Sequence, residues 1–348
     1  MRLGRFVLPS VAAASPLALA LACSDARPPI ISNPIPNPTT TSTSDAAVPV
    51  DAATDAPVVV TSLGSVQNAN DLHVSGSFVY LAAGNGGGAT GSIVRFPISG
   101  GPPEDIVTKL TEPARVITAG TSVLYTTARA NDGLGVLALF SYADAGAFDL
   151  ATTSYARAIT ADTQFVYATD STVTLHVVRR SIAGGAGPVD LATSTSVGQG
   201  VGLVVTTTDV FVAATDAFVY EASSAGGPLA IAAGPFDGPC AAMVAHGTDL
   251  FVTIDAASPK GAVLRIPQSG GAPSVFAAGL DHPSRLVIDD ARVYWSSPTQ
   301  GTVSYANLDS SHVAQTFLSG LDGPGALALD AKNLYVATKS QVIRTPKL

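Results

Sequence analysis

Apolar residues fall in short β-rich clusters along this chain rather than in long amphipathic stretches. The clearest clusters are Phe78-Val79-Tyr80, Val123-Leu124-Tyr125, Phe165-Val166-Tyr167, Val210-Phe211-Val212, Leu250-Phe251-Val252, Val293-Tyr294-Trp295 and Leu334-Tyr335-Val336. They recur at intervals of 45, 42, 45, 40, 43 and 41 residues. Each is preceded by a strand-like run that often opens on proline, as in EPARVITA (112–119), GPCAAMVA (238–245), HPSRLVID (282–289) and GPGALALD (323–330). A third run follows, such as GSIVRFPISGG (91–101) or GAVLRIPQSGG (261–271), and its Gly-Gly end suits a tight hairpin. A fourth closes the unit, as in FDLAT (148–152), VDLAT (189–193) and SVFAAG (274–279). Alternation of apolar and polar positions is weak, which is expected of strands buried on both faces.

Four strands per repeat of this length predict an all-β propeller, each repeat forming one blade. The last copy stops after QVIRTPKL (341–348), before a fourth strand, and would leave an open sheet edge. The missing strand is supplied at the other end. APVVVTSLG (56–64) matches APSVFAAGL (272–280) almost position for position. The prediction is a seven-bladed β-propeller over residues 57–348, its last blade closed by the N-terminal strand, with no second domain.

Residues 1–22 have Arg2 and Arg5 ahead of an apolar stretch broken by Pro9 and Pro16, and lack the flanks of a spanning helix. They read as an export signal. Cleavage has two readings. Ala20-Leu21-Ala22 satisfies the small-x-small rule of ordinary leader peptidase, giving a soluble periplasmic product. The same residues followed by Cys23 resemble the lipobox of bacterial lipoproteins, although Ala20 and Leu21 stand where that family prefers Leu and a small residue. The chain has only two cysteines, and one falls where a lipid anchor would attach. The resemblance implies a lipidated Cys23 and, with Ser24 in place of Asp, sorting to the outer membrane. Residues 24–56 are rich in Pro, Thr and Ser and poor in large apolar side chains, so they read as a disordered tether. Fully extended in polyproline form, such a tether reaches about 100 Å. Cys240 then has no partner and reads as a small buried residue.

Charged residues make up only 13% of the chain and the formal charge is −8. Two of the 18 basic residues precede residue 23, so removal of the signal leaves −10. Such a surface repels phosphate backbones and excludes nucleic acid as a partner. No patterning points to an oligomer, and a monomer is expected.

PSRLVIDDARVYW (283–295) and PGALALDAKNLYV (324–336) resemble the repeats of the NHL, YWTD and streptogramin-lyase group of β-propellers. The resemblance covers nearly all of the chain beyond the tether and is specific for fold. Its members include lyases, lactonases, receptors and scaffolds, so it implies no single activity. Streptogramin lyase works through a His and Glu group around a metal. This chain has no Glu-x-His pair, and His73, His176, His246, His282 and His312 are scattered. No metal or other cofactor is expected. Neither is there a G-x-S-x-G elbow, a Walker loop or a C-x-x-C pair.

Aligned on the proline, the first strands place Asp71, Arg115, Arg157, Val201, Ala241, Arg285 and Ala326 in one column. The resembled families usually carry Gly there, close to the axis, so three arginines break the habit. Either they converge on the channel mouth as a cationic pocket suited to an anionic small molecule or a peptide terminus, or each pairs with an acid such as Asp71 or Glu112 and ties neighbouring blades together. The residues before the proline form a second column: Asn68, Glu112, Ser154, Gly198, Gly238, His282 and Gly323. Glu112 and His282 have acid–base chemistry but also suit turn capping. The site expected is thus Arg115, Arg157, Arg285, Asp71, Glu112 and His282, acting in an exported, lipid-anchored, non-catalytic binding or scaffolding module of the bacterial envelope. The alternative is a lyase-type or lactonase-type enzyme with a metal-assisted site at the mouth.

Overall fold

The structure is a computed structural model and describes residues 58–84, 90–128, 135–142, 146–153, 156–171, 174–184, 187–309 and 312–348. The expected export signal (1–22), Cys23 and the expected tether to residue 56 lie outside the described residues. Every regular element among the described residues is a strand.

After β1 (Thr61–Ser65), the chain forms a meander of β2 (Ala69–Ser75), β3 (Phe78–Ala83), β4 (Gly91–Pro97) and β5 (Glu104–Ala119). The long β5 continues into β6 (Ser122–Ala128), β7 (Gly135–Ser141) and β8 (Gly146–Thr153), which makes one seven-stranded sheet. The next sheet holds β9 (Ile159–Ala161), β10 (Phe165–Asp170), β11 (His176–Ser181) and β12 (Val189–Thr193). A further sheet follows with β13 (Gly200–Val205), β14 (Asp209–Ala214), β15 (Val219–Ser223) and β17 (Ala230–Ala233); the two-residue β16 (Gly227–Pro228) instead pairs in parallel with β12. Two four-stranded sheets come next: β18 (Cys240–His246), β19 (Asp249–Ile254), β20 (Gly261–Pro267) and β21 (Ser274–Leu280), then β22 (Leu286–Ile288), β23 (Arg292–Ser297), β24 (Thr302–Asn307) and β25 (Gln315–Leu318). The chain ends in β26 (Leu327–Leu329), β27 (Asn333–Ala337) and β28 (Gln341–Pro346).

That final sheet is completed by β1, which pairs antiparallel with β28 from Thr61 opposite Arg344 to Ser65 opposite Gln341. The likeness between the two ends of the sequence predicts this pairing. Arg344 also donates to the Ile98 carbonyl at 2.6 Å, which joins the last sheet to the first.

Sequence patterns account for the local geometry. Asp162, Asp289 and Asp330 each accept backbone N–H bonds two and three residues ahead, the Asx geometry that turns a first strand into a second. Asp162 and Asp330 also accept the hydroxyls of Tyr167 and Tyr335, so the aspartate and tyrosine of the repeat lock one hairpin. The apolar clusters of the second strands are the core: Val79, Val166, Val210, Leu250, Val293 and Leu334 are fully buried, and Trp295 is nearly so. Each packs between its own sheet and the preceding one, and Val79 of the first sheet packs against the last.

Successive sheets are also joined by hydroxyls. Thr126, Thr169, Thr253 and Ser296, all buried, donate to the carbonyls of Ala156, Gly200, Ser284 and Gly325 at the start of the following sheet. Each of these bonds satisfies a carbonyl that would otherwise be desolvated without a partner.

Candidate functional site

The first strands of the units lie side by side: β2 against β5, β5 against β9, and so on through β13, β18, β22 and β26, which returns to β2. A cavity of about 160 Å³ is lined from each of them or from the residue leading into it, by Asp71, Arg115, Ile159, Gly202, Met243, Arg285 and Leu327 among others. Above it lies a second cavity, of about 290 Å³, lined by Asn70, Ala114, Arg115, Arg157, Val201, Ala241, Ser284 and Arg285. These are the mouth and the throat of a central channel.

Hydrogen bonding sets the register of the column. Arg285 N donates to Ser296 Oγ and Ser296 N to the Arg285 carbonyl. Ala158 N bonds Thr169 Oγ1 and Thr169 N bonds the Ala158 carbonyl in the same way, and Ala242 stands opposite Thr253. Arg115 pairs with Thr126, Asp71 with Ala82 and Gly202 with Ala213. The true ring is therefore Asp71, Arg115, Ala158, Gly202, Ala242, Arg285 and Ala326. This corrects the proline-based column, which put Arg157, Val201 and Ala241 at this level. The third and fourth repeats lack the proline, and extra residues bulge at Gly200–Gly202 and Cys240–Ala242. Arg157 sits one place earlier, on the rim with Asn70, Val201, Ala241 and Ser284.

Arg115 is the most enclosed of the three arginines, with 8% of its surface exposed. Its Nε donates to the Arg157 carbonyl, Nη2 to the Val201 carbonyl at 3.2 Å and Nη1 to Asp71 Oδ1 at 3.5 Å. The other oxygen of Asp71 accepts Val116 N at 3.0 Å. Arg285 is half-buried and donates to the Asn70 carbonyl at 3.5 Å. Burial, together with the guanidinium of Arg115 and, more weakly, that of Arg157, pushes Arg285 down to about 9, with Asp71 opposing. Arg157 is exposed at the rim. The small side chains of Ala158, Gly202, Ala242 and Ala326 leave the room these long side chains fill.

Arg115, Arg157, Arg285 and Asp71 are thus brought together, whereas Glu112 and His282 line neither cavity. Both have left-handed backbones, with φ of 44° and 45°, as have Asn68 at 51° and Gly323 at 55° in the same column. The turn leading into the first strand demands that conformation, which makes these residues turn-formers. His282 Nδ1 lies 2.7 Å from Asp255 Oδ1, and that bond raises the imidazole above its ordinary value. Asn70 and Ser284, the polar rim residues beside the arginines, were missed in the sequence; their signal was the position directly before Asp71 and Arg285. Among the described residues no three His, Cys, Asp or Glu side chains gather as metal ligands.

No family model and no curated protein matches the chain in sequence. Solved structures match it in shape. Virginiamycin B lyase from Staphylococcus aureus aligns with a TM-score of 0.68 at 10% identity, over 84% of this chain and 99% of that one. A streptogramin B lyase structure aligns at 0.65 and 11% identity, over 82% and 97%. The computationally designed Ika8 protein aligns at 0.57 and 14% identity, over 82% and 98%. Likeness at such identities speaks for the fold alone, and that fold is a β-propeller.

Proposed function

We propose that this chain is a seven-bladed propeller, exported, lipidated on Cys23 and held at the outer membrane by residues 24–56, that serves as a non-catalytic binding module. The seven-blade reading takes β5 as the outer strand of one unit and the inner strand of the next. The channel mouth is its recognition surface. The observation that carries the binding reading is the 290 Å³ cavity there, rimmed by Asn70, Ser284 and three arginines. Its size falls just short of the usual range of ligand cavities, roughly 300 to 1,000 Å³. Export and anchoring rest on residues 1–23 alone.

A mouth-blocking variant tests the binding reading. Ser284→Trp fills the cavity without altering charge. Compounds from envelope extracts that raise the thermal midpoint of the full chain are expected to lose that effect in Ser284→Trp; retention of every such effect would place recognition elsewhere. Anchoring is read by labelling cells with alkynyl palmitate. Label is expected on the parent chain and absent from Cys23→Ser, and an unlabelled parent would overturn the anchor.

A further inference from the structure

We propose that the channel mouth is an oxyanion site, in which Arg157 and Arg285 hold the carboxylate or phosphate group of a small molecule and Arg115 is a fixed strut behind them. The proposal rests on the channel-mouth reading above and names the ligand class for it.

Two features of the geometry carry it. First, the cavity is lined by Arg115, Arg157 and Arg285 and by no acidic side chain. The nearest carboxylate of the ring, Asp71, lines only the throat below, and its two oxygens are taken by Arg115 and by Val116 N. The lining of the mouth is thus basic in a protein whose net charge is −8. Second, the arginines are not equivalent. A guanidinium has five N–H donors in a planar fork. Arg115 spends its Nε and both terminal nitrogens on two carbonyls and Asp71, within a buried position. Arg285 makes a single long bond to the Asn70 carbonyl, so most of its fork is available to the cavity. The electrostatics agree with that geometry. Burial and the facing guanidiniums of Arg115 and Arg157 depress it to about 9, yet it stays charged at neutral pH. An anion in the cavity would offset that repulsion.

Fork-to-carboxylate and fork-to-phosphate bonds are the strong, directional interactions of arginine. The volume admits a small molecule or a terminal group and excludes a folded partner. Asn70 and Ser284 on the rim supply neutral donors and acceptors for the rest of the ligand.

The test is calorimetric titration of the full chain, in low-chloride buffer, with inorganic phosphate, acetate and succinate, and with succinamide as the neutral match of succinate. At least one oxyanion is expected to bind with one-to-one stoichiometry, while succinamide gives no heat. The phosphate and carboxylate arms decide which oxyanion the site takes. Arg157→Ala and Arg285→Ala are each expected to weaken binding about tenfold or more, since hydrogen bonds to charged groups contribute about 1.5–3 kcal/mol and 1.4 kcal/mol is tenfold. Arg285→Lys, which keeps the charge and loses the fork, is expected to fall between. Should Arg285→Ala fail to fold, the exposed Arg157→Ala and Arg157→Glu carry the comparison. Absence of binding by all three anions, or equal binding to the double variant R157A/R285A, would overturn the site. Succinamide binding that Ser284→Trp abolishes would retain the mouth as the recognition surface and overturn the oxyanion class. Conversion of a probe, followed by NMR, would overturn the non-catalytic reading and leave the oxyanion site standing.

Discussion

Arg115 and Arg285 occupy the same place in their repeats, and their surroundings divide the work between them. Arg115 closes a network with Asp71 and two backbone carbonyls, so its loss leaves a carboxylate and two acceptors short of a donor. Removing one partner of a buried pair costs about 3–5 kcal/mol. Because Asp71 keeps its bond from Val116 N, Arg115→Ala is expected to cost less than that, about 2–3 kcal/mol in urea denaturation. Arg285→Ala gives up one long bond and relieves a repulsion, and is expected to leave the urea midpoint unchanged or raised. Stability lost equally in both variants would contradict this division. Titration at the channel's far end has a definite sign too. Burial holds His73 below its ordinary value, with Asp71 opposing, and its Nε2 meets Thr118 Oγ1 at 3.1 Å. The unfolded chain therefore takes up a proton at His73 before the folded one does, and stability falls as pH drops below about 6.5. His282, raised by Asp255, acts oppositely: its contribution is present at low pH and fades as pH rises through its folded value. In His73→Gln, the fall in thermal midpoint between pH 7.5 and 5.5 is expected to be smaller than in the parent; an identical fall would remove His73 from the account.

At the level of strands, the repeat was legible wherever the core dictates residue type. The second-strand clusters and the Asp-to-Tyr spacing mark hairpins because burial and Asx geometry allow few substitutes there. Register along the first strands was not legible in the middle of the chain. A bulge adds a residue without changing composition, so at Cys240–Ala242 the proline ceases to be a ruler. The corrected ring explains its glycine. A Cβ on Gly202 would stand 2.7 Å from Met243 Cβ and 2.8 Å from Met243 N, on the neighbouring first strand β18. Backbone cannot yield as a flexible side chain can, so the two strands would have to part. Gly202→Ala is expected to lower stability by about 1–3 kcal/mol, the range for overpacking. Ala158 and Ala242 at the same level carry a Cβ already, and Ala158→Gly in the parent is expected to gain nothing. A Gly202→Ala variant with an unchanged urea midpoint would mean the ring is looser than the register requires.

Across the whole molecule, side-chain direction was the part of the site that local sequence could not encode. Which carbonyls Arg115 reaches depends on the space left over Ala158 and Gly202, residues about 40 and 90 positions further on. The pairing of the two chain ends, by contrast, was legible, because an unfilled edge and a spare strand with matching residues admit few other arrangements. That pairing is the remaining point of leverage. Leu63 of β1 is buried with Phe96, Tyr335 and Val342, and Gly64 runs so close to the Phe96 ring that a Cβ there would stand 2.5 Å from it. Just beyond, Val66 N and Asn68 N bond the carbonyls of Ser340 and Lys339. Deleting residues 58–65 would strip one face of Phe96 and Val342 and leave β28 with a free row of N–H and C=O groups, the template on which sheets associate. The deleted chain is expected to melt well below the full chain and to self-associate in light scattering as its concentration rises. Adding a peptide of residues 58–66 is expected to restore the midpoint and suppress the added self-association, because the strand contributes through pairing and Leu63 rather than through the chain connection. The same peptide with Leu63→Asp is expected to do neither. If the deleted chain instead stays monomeric with an unchanged midpoint, β1 contributes nothing to closing the last sheet, and the ring must be held by the first-strand contacts and the bond from Arg344 to Ile98 alone.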